Sequence, residues 1–110
     1  MTEVREYLDA EGNSPYAKWF GRLNVAAAVK VTTAVHRMEQ ANFSNVKGVG
    51  AGVYEYRIDF GPGYRIYFGK DGDRLVILLA DGTKKSQEAD IATAKVNWRD
   101  YKRRKRQQVT

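Results

Sequence analysis

The sequence predicts an α+β domain. A mainly antiparallel sheet of three to four strands is preceded by an N-terminal helical hairpin and followed by a C-terminal helix, in the order β-α-α-β-β-β-α. Three observations carry that prediction. Residues 16–38 place apolar side chains at helical spacing over two segments with almost no loop between them. Residues 53–80 alternate at period two or run continuously apolar between tight-turn signals. Residues 91–101 return to helical spacing. Helices followed by a run of closely connected strands imply an antiparallel sheet with the helices gathered on one side.

In chain order, "EVREYL" (3–8) alternates weakly and reads as a short first strand, and "DAEGNS" as a loop. Ser14-Pro15 has the form of a helix start, a capping hydroxyl followed by proline at the first helical position. Tyr16, Trp19, Phe20 and Leu23 then recur at helical spacing, and Asn24 can end this helix and cap the next. Residues 25–40 form the second helix, with an inner face expected at Val25, Ala28, Val29, Thr32, Val35 and Met38 or Glu39. His36 and Arg37 sit near its end, where a cation complements the helix dipole.

The glycine-rich stretch "ANFSNVKGVGAG" (41–52) reads as a loop. It lacks the Lys-Ser/Thr ending of a phosphate-cradling P-loop and leads into a strand. Strands are expected at 53–60, 64–69 and 74–80, joined by Gly61-Pro62-Gly63 and by a turn at Asp71-Gly72. "RLVILLA" is nearly all apolar and reads as a central strand covered on both faces. Ile91, Ala94, Trp98 and Tyr101 mark the inner face of the last helix.

Composition narrows the chemistry. The 110 residues suffice for one modest core and contain no cysteine, which excludes disulfides, zinc-thiolate sites and thiol nucleophiles. A single histidine, His36, leaves almost no material for histidine metal sites or Ser-His-Asp triads, and no metal and no cofactor is expected. With no export-type apolar stretch and no membrane-length apolar run, a cytoplasmic protein without membrane contact is expected. The net charge of +6 is unevenly placed: residues 99–106 hold six bases and one acid, whereas residues 1–98 hold 13 bases and 12 acids. The excess therefore sits in a basic C-terminal segment, which reads either as a solvated end or as a nucleic-acid contact.

The hairpin "VYEYRIDFGPGYRIYF" (53–68) poses the sharper question. Tyr54, Tyr56, Ile58 and Phe60 share one face with Tyr64, Ile66 and Phe68; Glu55, Arg57 and Asp59 share the other with Arg65 and Tyr67. The register that keeps these faces consistent sets Arg57 directly opposite Arg65, and Glu55 opposite Tyr67. Like charges so placed are destabilising. Surface pairing with Glu55 and Asp59 is one resolution. An anion site is the other, because two guanidiniums on rigid strands can grip a phosphate. Lys84 and Lys85 follow the neighbouring strand and can reach the same face, or lie in a solvated turn.

On these stretches, together with "SPYAKWFGRL", "GDRLVILLADGTKKSQ" and "DIATAKVNW", the chain resembles the RelE/ParE toxin superfamily, most closely its addiction-module killer (HigB-like) branch. The resemblance runs from about Glu3 to Tyr101. It implies a single RelE-like toxin domain over residues 1–101, with 102–110 as a basic tail. It further implies the toxin of a type II toxin–antitoxin module, a ribosome-dependent mRNA endoribonuclease that blocks translation by metal-independent cleavage through the RNA 2′-hydroxyl. By the same resemblance Arg57, Arg65 and Lys84 or Lys85 are the catalytic and RNA-binding residues. The implied partners are a cognate helix-turn-helix antitoxin, the ribosome with its mRNA, and operator DNA only as a toxin–antitoxin complex.

One departure concerns proton transfer. RelE proper has a tyrosine just after the basic turn, where this chain reads "KKSQEADIA". Asp90, Glu88 or a lysine of lowered pKa are the alternatives, and Glu55 is expected to pair with Arg57. Two other functions share the fold: a ParE-like toxin that inhibits DNA gyrase, and an inactive relative kept for antitoxin binding and operon autoregulation.

Overall fold

Both N-terminal helices begin at the side-chain caps that the sequence provides. Ser14 Oγ accepts from the Ala17 amide at 3.0 Å and Pro15 opens α1 (Pro15–Phe20). Asn24 Oδ1 accepts from the Ala27 amide at 2.8 Å and starts α2 (Val25–Glu39). Each cap satisfies an amide that a helix start leaves without a partner, and is worth ~1 kcal/mol. The buried stripe of α2 is Ala27, Val31, Ala34 and Met38, which keeps the expected Met38 and otherwise runs one position round from the expected face. Val25 and Val29 are instead 82% and 58% exposed. "VAAAVKVTTAV" is apolar on more than one side, so spacing alone admits two stripes. The stripe with alanines inward lets the helix approach the sheet closely.

The computed structural model describes residues 2–108. Its strands are β1 (Glu3–Glu6), β2 (Val46–Gly50), β3 (Val53–Ile58), β4 (Tyr64–Lys70) and β5 (Leu75–Thr83), and a 3-10 turn (Lys84–Ser86) leads into α3 (Gln87–Gln108). They form one sheet in the order β1-β5-β4-β3-β2, antiparallel except for the β1–β5 pair. The architecture is α+β, with five strands where three to four were expected. The extra strand is β2, which lies inside the glycine-rich stretch read as a loop. It pairs with β3 through a register shift between Gly48 and Gly50. Glycine weakens a strand, so the pattern gave no sign of one, but an edge strand anchored by Val46 and Val49 tolerates it.

The expectation that all helices lie on one side is also corrected. α1 and α2 cover one face, packing on Tyr56, Ile58, Ile66, Phe68, Val76 and Leu78. α3 covers the other, where Ala94 and Trp98 pack on Val53, Tyr67, Ile77 and Leu79. The continuous apolar run of β5 is the physical reason, since both of its faces must be removed from water. Gly69 is the seat of Trp98: a Cβ there would stand 2.6 Å from the indole ring. The basic segment 99–106 lies within α3, as do residues 102–108 of the stretch expected as a tail; residues 109 and 110 lie outside the described ones. No helix among the described residues is long and apolar enough to cross a membrane.

Asp81, on β5, is the register partner of Ile66 and so points to the face covered by α1 and α2. Its Oδ1 has no hydrogen-bond partner among the described residues. Burial, with the nearby Asp90 and Glu6 carboxylates, pushes its pKa up to about 8. Folded Asp81 therefore keeps a proton that the unfolded chain releases near pH 4. Between about pH 4 and pH 8 the folded state binds more protons, so stability falls as pH rises. Asp81→Asn is expected to flatten that fall, read from urea midpoints at about pH 5 and pH 8. Midpoints that shift in parallel for both proteins would refute this.

Candidate functional site

The β3–β4 hairpin adopts the register in which Arg57 stands directly opposite Arg65, and Glu55 opposite Tyr67. Its polar face is not a solvent face. The first turns of α3 lie over it, leaving Glu55 and Tyr67 fully buried and Arg65 only 8% exposed. Arg57, one pair nearer the turn than Glu55, stays exposed.

Burial decides how the charges pair. Glu55 Oε2 accepts from Tyr67 Oη at 3.1 Å and from Gln87 Nε2 at 2.8 Å. The same oxygen lies 3.5 Å from Arg65 Nε, and Lys47 Nζ lies 3.8 Å from Oε1. Glu55 thus pairs with Arg65 and Lys47, not with Arg57 as the sequence reading expected. Burial, and then the Glu55 carboxylate, drive the Tyr67 phenol pKa upward, so Tyr67 keeps its proton and donates a hydrogen bond to Glu55. Among the described residues the Arg57 side chain has no ion pair, so surface neutralisation by Asp59 does not occur.

Arg65 has five N–H donors. One of them, on Nη1, reaches the Gly63 carbonyl at 3.3 Å; Nε faces Glu55 without a hydrogen bond. The guanidinium therefore has a carboxylate behind it, while most of its donors have no partner among the described residues. The Gly63 carbonyl also accepts the Lys84 backbone amide at 2.9 Å. A Cβ on Gly63 would lie 3.5 Å from Arg65 Nη1 and 3.8 Å from Lys84 Cβ, so this turn gathers the two residues. Lys84 and Lys85 are both exposed in the 3-10 turn, and only Lys84 is tied to the hairpin.

Two side chains complete the surroundings. Gly82 is the register partner of Arg65, and Asp90 rests on it: a Cβ at Gly82 would stand 1.9 Å from Asp90 Oδ2. Asp90 Oδ2 accepts from Ser86 Oγ at 2.5 Å, which fixes its carboxylate beside the Arg65 strand position, while Glu88 is exposed. Gly82→Ala is expected to displace the start of α3 and to cost on the order of 1–3 kcal/mol, the range for forced overpacking, measured by urea unfolding. An unchanged midpoint would show that the contact yields freely. Next to Arg57, a groove of about 310 Å³ is walled by Asn45, Val46, Lys47 and Asp59.

Arg57 and Arg65, expected opposite each other, are register partners; of the two lysines expected near them, Lys84 is tied through its amide to the Gly63 turn, and Lys85 is exposed beside it. The sequence left one cation of this end unread. It missed Lys47, hidden in the unrecognised strand β2. It also missed Gln87, whose contact with Glu55 spans 32 residues and leaves no local pattern.

Comparison with known proteins adds two findings. The family model described as "Phage derived protein Gp49-like (DUF891)" matches residues 18–102. An uncharacterized protein of Haemophilus influenzae is 39% identical over 82 residues, covering 74% of this chain and 83% of its own length. The family match contains Arg57, Arg65, Lys84, Lys85 and Asp90.

Proposed function

The chain belongs to the phage-derived Gp49-like family, a RelE-like toxin family, and from that premise we propose that it is a ribosome-dependent mRNA endoribonuclease of the HigB-like kind, the toxin of a type II toxin–antitoxin module. One observation supports this reading above the others. Arg65 is nearly buried and backed by Glu55, it faces a second arginine across the hairpin, and it keeps donors unused. A like-charge pair built into a rigid hairpin and left without a surface counterion suits a phosphate.

RNA brings its own nucleophile. The 2′-oxygen attacks the adjacent phosphorus, a bond forms between them, and the bond from phosphorus to the 5′-oxygen breaks. Negative charge grows on the non-bridging oxygens, where Arg57, Arg65 and Lys84 donate hydrogen bonds that need no rearrangement as the reaction proceeds. Lys84 is preferred to Lys85 because its amide is pinned to the Gly63 turn; Lys85 serves as a further RNA contact. Asp90, fixed over Gly82, takes the 2′-hydroxyl proton, and the departing 5′-oxygen takes a proton from water and leaves as a hydroxyl. Glu55 is unsuited to that task, being fully buried and engaged by Tyr67 and Gln87. The ribosome aligns the strand, and the residues named require no metal. The setting is the cytoplasm, with a helix-turn-helix antitoxin as partner and operator DNA bound only by the toxin–antitoxin complex.

Expression without antitoxin, followed by mapping of mRNA 5′ ends, tests the reading. In-frame cleavage that disappears in Arg65→Ala is expected. Growth arrest with intact mRNA and disturbed DNA supercoiling would transfer the protein to the gyrase inhibitors. No arrest would mark an inactive relative.

A further inference from the structure

Beyond the hairpin, α3 carries a second concentration of positive charge. Lys95, Arg99, Lys102 and Arg106 are spaced four, three and four residues apart, which places them in one row along a flank of the helix. Three like-charge neighbours at i,i+4 or i,i+3 result, and each such pair is destabilising. Among the described residues none of the four has an acidic partner. Lys102 lies over the Trp98 ring at 5.4 Å, and Lys95 lies beside Gly50.

The other cations of this helix are sorted differently. Arg104 binds Asp100 and the Leu8 carbonyl. Lys105 binds Asp71 at 2.6 Å, and Arg103 binds Asp100 at 2.6 Å. Tyr7 and Tyr101 donate to the same two carboxylates, each at 2.6 Å. Hydrogen bonds from Tyr7, Arg103 and Arg104 hold the Asp100 pKa down at about 2. The acids thus fasten the end of α3 to the sheet and leave the row uncompensated. The helix dipole accounts for Arg106 in the last turn, but its influence fades within that turn and does not reach Lys95, Arg99 or Lys102.

We infer that this row is a docking surface for the phosphate backbone of base-paired RNA. A rigid helix presenting cations about 4.5–6 Å apart along its axis suits repeated phosphate contacts that read charge and not sequence. The choice of RNA rests on the cleavage reading. At 1.5 Å rise per residue the row begins roughly 12 Å and ends roughly 28 Å along α3 from Gln87. It therefore grips structured RNA beside the cleaved strand and takes no part in the bond-breaking step.

The test is fluorescence anisotropy with a base-paired RNA hairpin, at roughly 50–200 mM salt. The proteins are the wild type, the fourfold variant Lys95→Gln/Arg99→Gln/Lys102→Gln/Arg106→Gln, and the control Lys18→Gln. The fourfold variant is expected to bind at least about tenfold more weakly. Its log–log salt dependence should be shallower by roughly 3, at about 0.7–0.9 for each phosphate no longer neutralised. Lys18→Gln, which removes one exposed cation of α1 away from the row, should bind the hairpin nearly as the wild type does. Lys95→Arg/Lys102→Arg, which keeps the charge, should retain binding. Where the fourfold variant unfolds, each single Gln substitution should lower the slope by about 0.7–0.9. Unchanged affinity and slope would overturn the inference. So would tighter binding of a DNA duplex of equal length, or losses confined to an acidic peptide. Loss of hairpin binding with cleavage absent in every protein would sink only the cleavage reading.

Discussion

Arg65→Ala is expected to lower the single-turnover rate of mRNA cleavage on ribosomes by about 10²–10³, on the order seen when one preorganised donor to a developing oxyanion is removed. The side chain has two tasks, since it also faces buried Glu55 at 3.5 Å. Its removal therefore lowers stability as well as rate, and Arg57→Ala separates the two effects. Arg57 is exposed and without an ion pair among the described residues, so its loss should slow cleavage while leaving the urea midpoint nearly unchanged. Arg65→Lys keeps the charge but not the planar fork, and should recover only part of the rate. Cleavage by Arg65→Ala at the wild-type rate, with the protein folded, would remove the arginine from the mechanism.

Glu55→Ala is expected to destabilise the protein by about 3–5 kcal/mol, as for any change that leaves one member of a buried ion pair behind. Glu55 is fully buried, and its carboxylate is the common partner of Tyr67, Gln87, Arg65 and Lys47. Without it, Arg65 keeps its charge at 8% exposure and faces Arg57 alone. The loss should therefore exceed that from deleting a hydrogen bond, and Glu55→Gln, which preserves the shape, should recover part of it. Urea unfolding reads the difference. A change below about 1 kcal/mol, typical of a surface pair, would show that solvent, not Glu55, compensates the arginine.

The register of the hairpin was legible because period-two alternation on both sides of Gly61-Pro62-Gly63 admits one pairing without mixing faces, and that pairing appears in the structure. The helix starts at Ser14 and Asn24 were legible because capping is local chemistry. Strand β2 was not, because Gly48 and Gly50 carry no pattern and the strand exists through its pairing with β3. The helical face of Val25–Glu39 was misread because alanine and valine on several sides leave the choice to packing against Tyr56 and Phe68. At the site, Arg57 and Arg65 were legible as a like-charge conflict, and Lys84 and Lys85 only as neighbouring lysines able to reach the same face. The burial of Glu55 was not, because the cover comes from Gln87 and its helix on the far side of the sheet. "RLVILLA" announced a strand covered on both faces, and that same signal implied a helix on the second face.

The central claim is that Arg57, Arg65 and Lys84 surround a phosphate whose neighbouring 2′-hydroxyl performs the attack. The most direct measurement uses purified protein and ribosomes programmed with two mRNAs that differ only by a 2′-deoxy substitution at the scissile nucleotide. Cleavage of the all-ribose message, leaving a 2′,3′-cyclic phosphate and a 5′-hydroxyl, with the substituted message intact, is the predicted result. Equal cleavage of both messages, or of neither by a protein that still arrests growth, would contradict it.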